Sequence, residues 1–318
     1  MVGFAPQPRP ALLVLAADLA ADRTTSSALV GEALARIADP AGEGKRTFVK
    51  VYADAARTAA EAQDRLRAAG YVASPLAGLP VSIKDLFDVA GEVTLAGSRA
   101  LDDAPPATAD APIVARLKAA GAVIIGRTNM TEFAFSGVGI NPHYGTPGNP
   151  RDRSLIPGGS SAGAPVSVAD RMAAVAIGTD TGGSVRIPAA LCGLVGFKPT
   201  QYRVPRDGAT PLSTTLDSIG SIGVSVACCA LTDAVMAGEP PEVPPAVPPD
   251  VLRFGVPKTV MFDDLEARWR RRLSGRFRYS PAPARASLNY RSRCSAIMPG
   301  STSRAACRWP KRSPGTRN

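Results

Sequence analysis

The chain holds 318 residues, 45% of them apolar, so it has the material for a sizeable buried core and reads as a globular enzyme. Its formal net charge of +10 is local: residues 268–318 hold 14 Lys or Arg and no Asp or Glu, which leaves 23 basic against 27 acidic side chains before them and argues against a nucleic-acid or anionic-surface partner for the body. Five scattered cysteines, with Cys228 beside Cys229, give neither a CxxC pair nor a disulfide framework, which excludes a metal site built on them and fits a reducing, cytoplasmic setting.

Residues 11–17 are apolar, but Asp18 interrupts the run far short of a bilayer span, so it reads as the approach to an amphipathic helix rather than a signal peptide. Apolar residues at helical spacing predict helices over 28–37 and 51–69, the second with Val51, Ala55, Ala59, Ala62 and Leu66 on its packed face. After turn chemistry at 75–78, residues 79–87 predict a strand. Its apolar run of Leu79, Val81, Ile83 and Leu86 is interrupted by Lys84 and Asp85, which delivers a charged residue into an interior.

A helix over 111–120, then Gly121 and the run AVIIG at 122–126, has the form of a helix leading into a buried strand and sets the order as α/β. Residues 136–161 are too rich in Gly and Pro for regular structure and read as a long loop, functional or disordered. A helix is predicted over 164–177, with Pro165 tolerated in its first turn and Gly178 closing it, followed by a Gly-rich turn over 179–184. Residues 238–250 form a Pro-rich hinge and 252–256 the next strand. Beyond 267 neither a period of 2 nor one of 3.6 is found, so 268–318 is expected to be an arginine-rich tail, disordered or translated out of frame.

Gly159-Ser160-Ser161-Ala162-Gly163 matches G-x-S-x-G, which would make Ser161 a nucleophile, but that arrangement requires a later histidine and the single histidine, His143, comes before it. One histidine also excludes His-rich zinc sites. A serine activated here needs another base, and a lysine rendered neutral by desolvation can serve. Among the seven lysines only Lys84 and Lys198 adjoin apolar runs, and Lys84 is the better candidate; with no S-x-x-K spacing, it must meet a serine through the fold. The run 178–184 puts Gly182 and Gly183 directly before Ser184, where backbone amides can converge on an oxyanion. Two Gly-Ser turns and a buried lysine make an acyl-transfer site. A phosphate-cradling loop would use similar glycines, but a Lys directly before Ser or Thr is missing.

GLPVSIKD at 78–85, GGSSAG at 158–163 and GTDTGGSVRIPAALCGLVGFKPT at 178–200 closely resemble the amidase signature family, and GRTNMTEF at 126–133 and NPHYGTPGNP at 141–150 fit it in the same order. The resemblance covers roughly residues 27–257. It implies an α/β fold, an α/β/α sandwich around a central mixed β-sheet, with an amidase domain over 1–267. The tail at 268–318 does not resemble the corresponding part of family members, so the chain is expected to be truncated or frameshifted, with the C-terminal part of the fold missing.

The implied activity is hydrolysis of a carboxylic acid amide, at a linear amide C–N bond rather than a peptide bond, through an acyl-enzyme. Lys84, Ser160 and Ser184 match the family's triad, with a cis peptide bond before Ser160: Ser184 attacks, and its proton passes through Ser160 to neutral Lys84. The amides of Thr181, Gly182, Gly183 and Ser184 match the oxyanion hole, and Ala134 lies where part of the substrate pocket is built. Asp180 and Arg186 are expected to pair and brace the second turn, and Asp85 to pair beside Lys84. His143, Cys192 and Lys198 are expected to be structural.

The implied partners are a small-molecule amide substrate, no nucleic acid and no membrane, with a homodimer left open; no cofactor and no metal are implied. Ala162 stands where the family has Gly, and its Cβ is expected to perturb the turn that presents Ser160. Two other readings stand beside this one: a protein like the glutamine-hydrolysing component of a tRNA-dependent amidotransferase, and an inactive remnant or a tail that binds nucleic acid.

Overall fold

The computed structural model describes residues 11–245, 247–248, 251 and 265–278. The chain divides into two compact units, residues 1–244 and 245–318.

The first unit begins with α1 (Leu12–Ala20) and α2 (Ser26–Ala38), the latter capped by the Thr25 side chain, which accepts from the Ala28 N–H. A short α3 (Gly44–Thr47) leads into β1 (Phe48–Val51), then α4 (Ala53–Ala68) and β2 (Pro80–Lys84). Next come α5 (Pro112–Ala119), β3 (Val123–Thr128), α6 (Gly163–Ala169), β4 (Val175–Asp180), α7 (Arg186–Cys192), β5 (Val195–Phe197), β6 (Ser218–Gly223) and α8 (Val226–Ala237). The strands form one mixed sheet in the order β1-β3-β2-β4-β6-β5. β2 lies parallel to both β3 and β4, whereas β1, β5 and β6 join antiparallel. The architecture is therefore α/β, with helices packed about a mixed sheet.

Every residue of β2, β3, β4 and β6 is buried. Strands covered on both faces lack the in-out alternation of a half-exposed strand. That explains one departure from the sequence reading. The helix expected over 164–177 stops at Ala169, Arg171 takes a left-handed φ of 59°, and the apolar run after it is strand β4. A continuous apolar run does not distinguish helix from buried strand by period alone.

A second departure concerns α4. Its buried residues are Ala56 and Ala60, one step from the expected stripe, while Leu66 stays 40% exposed and Val51 belongs to β1. In an alanine-rich helix several stripes are equally apolar, and packing against its neighbours chooses among them. In the second unit, Ala267–Arg278 forms helix α9 where no period was expected. The expected strand at 252–256 and the tail beyond 278 lie outside the described residues. No helix among the described residues is long and apolar enough to cross a membrane.

Because β2 and β4 are parallel neighbours, their C-terminal ends, Lys84 and Asp180, finish on the same side of the sheet. Functional groups in α/β sheets gather where adjacent parallel strands end.

Candidate active site

Alternation along β2 sends Ser82 and Lys84 to one face of the sheet, opposite to Val81 and Ile83. Ser82 Oγ meets Ser167 Oγ of α6 at 2.9 Å on that face. Lys84 is fully buried there, with Nζ 2.8 Å from Ser160 Oγ and 2.9 Å from Thr179 Oγ1. Burial lowers its pKa from 10.5 to about 7, opposed only in part by the charges of Asp180 and Asp217. At neutral pH a substantial fraction of the amine is therefore unprotonated and able to accept a proton.

Ser160 is held by its backbone. The Gly159–Ser160 peptide is cis, and the Ser160 carbonyl accepts from the Thr131 N–H and the Ala162 N–H, each at 2.9 Å. The Gly159 N–H donates to the Gly137 carbonyl at 2.9 Å, and a Cβ on Gly159 would stand 2.7 Å from the backbone of Gly139. The Gly-rich stretch 136–161 is thus an ordered loop whose glycines allow backbone to lie on backbone. Asn141 anchors it by donating to the Gly97 and Met130 carbonyls, each at 2.7 Å. Ala162 does not disturb the turn as expected, because it has right-handed helical dihedrals (φ −65°, ψ −45°), where a Cβ is accommodated without strain. Ser161, the nucleophile of the rejected reading, is buried and donates to the Thr179 carbonyl at 3.4 Å.

Ser184 closes the turn after β4. The buried Asp180 carboxylate organises that turn by accepting from the amides of Gly183 (2.8 Å), Val185 (3.1 Å) and Arg186 (3.3 Å). The Arg186 guanidinium also pairs with it at 2.9 Å, as expected. Burial works to raise the Asp180 pKa, but these donors and the Arg186 charge outweigh it and hold the group below the usual carboxylate range. The two serine turns are joined directly, since the Ser161 N–H donates to the Ser184 carbonyl at 3.3 Å. Ser184 itself is 8% exposed.

Lys84 and Ser160 are therefore in contact, and Ser184 is tied to the residue next to Ser160. Of the amides assigned to an oxyanion hole, that of Gly183 is committed to Asp180, leaving Thr181, Gly182 and Ser184 as the turn's other donors. A Cβ on Gly182 would meet nothing within 4 Å, so this turn faces open space. Thr181 Oγ1 donates to Asp217 Oδ1 at 2.5 Å, fixing the start of the turn. Ala134, with Phe133 before it, has a left-handed φ (58° and 49°), a conformation that side-chain-bearing residues adopt rarely. Ala134, Thr179 and Thr181 line a cavity of about 350 Å³ together with the segment 202–219.

Asp85 does pair beside Lys84: its Oδ1 receives Arg127 Nε at 2.7 Å, and both groups are buried. His143 sits with Nε2 2.8 Å from Glu132, Lys198 donates to the Pro199 carbonyl at 2.7 Å, and Cys192 is buried. Sequence reasoning missed Thr179, Asp217 and Arg127. Arg127 carried a usable signal, a lone charge in the apolar strand β3 beside β2. Asp217 carried none, because its role arises from a contact 36 residues away in sequence. Among the described residues no three His, Cys, Asp or Glu gather to hold a metal ion.

A buried lysine ending one central strand, with two Gly-Ser turns about it, is the arrangement of an amidase-like α/β protein. The Amidase family profile matches residues 28–263, and the chain belongs to that family. Over 247 residues it is 42% identical to AtzE, the 1-carboxybiuret hydrolase component of Pseudomonas sp. (strain ADP), covering 75% of this chain and 53% of the relative. It is 46% identical over 226 residues to the A-type component of glutamyl-tRNA(Gln) amidotransferase from Anaeromyxobacter sp. (strain K), covering 71% and 45%. The native peptide amidase from Stenotrophomonas maltophilia superposes with a TM-score of 0.74 at 34% identity, over 86% of this chain and 62% of that one. The chain spans about half the length of the curated relatives it matches.

Proposed function

We propose that the protein hydrolyses a small carboxylic acid amide to the acid and ammonia or an amine through a Ser184 acyl-enzyme. The observation that carries this reading is the buried Lys84 amine, with a pKa of about 7, placed 2.8 Å from Ser160 Oγ. Ser184 Oγ attacks the amide carbonyl and gives its proton to Ser160 Oγ, while the Ser160 proton moves to neutral Lys84 Nζ. The tetrahedral oxyanion forms against the amides of Thr181, Gly182 and Ser184, which Asp180 does not hold, each such donor contributing about 3–4 kcal/mol in comparable hydrolases. The relay returns the proton to the leaving nitrogen as the C–N bond breaks. Water then repeats the sequence on the ester, releasing the acid and restoring Ser184. The cavity of about 350 Å³ beside Thr179 and Thr181 is the space that the substrate would enter on this reading.

The test is fluorophosphonate labelling of the purified chain, with the modified peptide located by mass spectrometry. Label on Ser184, absent from Ser184→Ala and Lys84→Ala, is expected. A cooperatively folded chain that takes no label refutes the active-enzyme reading and leaves an inactive family member. The 46% identity to an amidotransferase component favours a second reading, hydrolysis of glutamine with ammonia passed to a partner. Ammonia release from glutamine that rises on adding a partner protein would select it.

A further inference from the structure

We propose that the substrate carries a carboxylate at a distance from its scissile amide, and that Arg206 binds it. This deepens the amidase reading and rests on it. The cavity beside Thr179 and Thr181 has a polar wall containing Arg206, Asp207 and Asp217. Two of these three charges differ sharply in how they are used. Asp217 is fully engaged: Oδ1 accepts from Thr181 Oγ1 at 2.5 Å, and Oδ2 accepts from the Leu212 and Ser213 amides at 2.8 Å each.

Arg206 is held in place without being neutralised. Its Nη1 donates to the Thr214 carbonyl at 3.0 Å and the Asp217 carbonyl at 3.3 Å, and the guanidinium stacks on the Tyr202 ring at 5.4 Å from its centroid. Both acceptors are uncharged, and among the described residues no carboxylate pairs with this guanidinium. Arg203 shows the contrast three residues earlier, where Asp233 and Glu239 both pair with it at 2.6 Å. Asp207 is exposed to solvent.

An arginine pinned by one nitrogen keeps its remaining N–H groups oriented for a planar anion, and a carboxylate matches that fork in two bonds. The same wall touches Thr179, the hydroxyl that receives the Lys84 amine. The cavity wall therefore includes both a group that touches the lysine and a guanidinium with no carboxylate paired to it among the described residues.

The test compares glutaramate with pentanamide, two amides of equal chain length that differ in the terminal carboxylate. Binding is followed by ligand-observed NMR titration on the Ser184→Ala chain, which separates recognition from turnover. Glutaramate is expected to bind at least roughly tenfold tighter, the range that a charge-assisted pair provides. Arg206→Met should remove the preference, and Arg206→Lys should keep part of it. Equal affinities for the two amides, no binding of either, or a preference that survives in folded Arg206→Met would each overturn the inference. The comparison of the two amides on the chain that retains Arg206 decides the matter even if Arg206→Met does not fold. A chain that labels at Ser184 but has no carboxylate preference loses this inference and keeps the amidase reading. One that binds glutaramate through Arg206 yet takes no label keeps a carboxylate site but loses the amidase reading, and with it the claim that the ligand is a substrate.

Discussion

Replacing Lys84 by Met should abolish labelling at Ser184 and yet stabilise the fold near neutral pH. In the folded chain the amine has a pKa of about 7, against 10.5 for an ordinary lysine. Between those values the unfolded chain binds the extra proton, so the unfolding free energy rises with pH across the window from about 7 to 10.5. Below pH 7 both states are protonated and the full cost of burial is present; above 10.5 neither is, and the cost is gone. A fall of this size corresponds to about 4–5 kcal/mol. Methionine has similar length and no charge, so it relieves that cost but leaves the Ser160 and Thr179 hydroxyls without their shared partner, at about 1 kcal/mol each. The variant should therefore be more stable by about 2 kcal/mol at pH 7, and the gain should vanish or reverse by pH 10. Urea unfolding of both chains at the two pH values measures this. A stability difference that does not change with pH would refute the claim that burial neutralises Lys84.

The same amine sets the pH dependence of nucleophile activation: the rate of fluorophosphonate labelling should climb through an apparent pKa of about 7. A flat profile from mildly acid to mildly alkaline pH would remove Lys84 as proton acceptor. Asp85→Asn should destabilise the chain by about 1.5–3 kcal/mol, since it removes the nearer of the two carboxylates paired with buried Arg127 and leaves only Glu92 at 3.6 Å; a calorimetric Tm unchanged from wild type would contradict this. Gly139→Ala drives a Cβ into the Gly158 carbonyl oxygen at a φ of +91°, so it should displace the loop that presents Ser160. The expected result is loss of label with far-UV circular dichroism little changed, and full labelling would refute it. Asp180→Asn removes the charge that holds three amides of the Ser184 turn, and should lower the labelling rate by about tenfold or more while Lys84→Met remains the lower bound.

Much of this site is legible in the sequence because chemistry leaves few alternatives. A single histidine in the wrong order removes the imidazole mechanisms, Lys84 was the better of the two lysines beside apolar runs, and the family resemblance picked out Ser160, against which Lys84 is found buried. The fold class follows from the helix-to-strand step at Gly121. Other features are not written locally. The boundary between α6 and β4 depends on which run is covered on both faces, and that is decided by β2 and β6, not by the run itself. The packed face of α4 depends on which of several equivalent alanine stripes meets a neighbour. Thr179 was visible only as part of a turn, yet it ends up in β4 because antiparallel pairing with β6 continues to Asp180. The cavity wall at 202–219 could not be anticipated, since its residues acquire their role through contacts distant in sequence, Gly208, Ala209 and Thr210 with residues 86–88 and Asp217 with Thr181.

Burial and activation at this site are one requirement seen from two sides. Burial makes a lysine a base at neutral pH by keeping water from the space around it, and Lys84 is fully buried. Side chains large enough to fill that space would also block the approach of a substrate carbonyl. Glycine resolves the conflict: the turns at 158–159 and 182–183 bring peptide groups, rather than side chains, up to the serines. Peptide groups are polar, so they bring N–H donors to the place where negative charge develops, which an apolar filling would not. Asp180 then fixes which amides remain available, holding Gly183 and leaving its neighbours. Its charge also raises the Lys84 pKa in opposition to burial, keeping the amine near 7 rather than far below it. A base that much weaker would be neutral at every physiological pH but too poor an acceptor to draw the proton from serine, so the balance between burial and the charges of Asp180 and Asp217 sets the working range of the site.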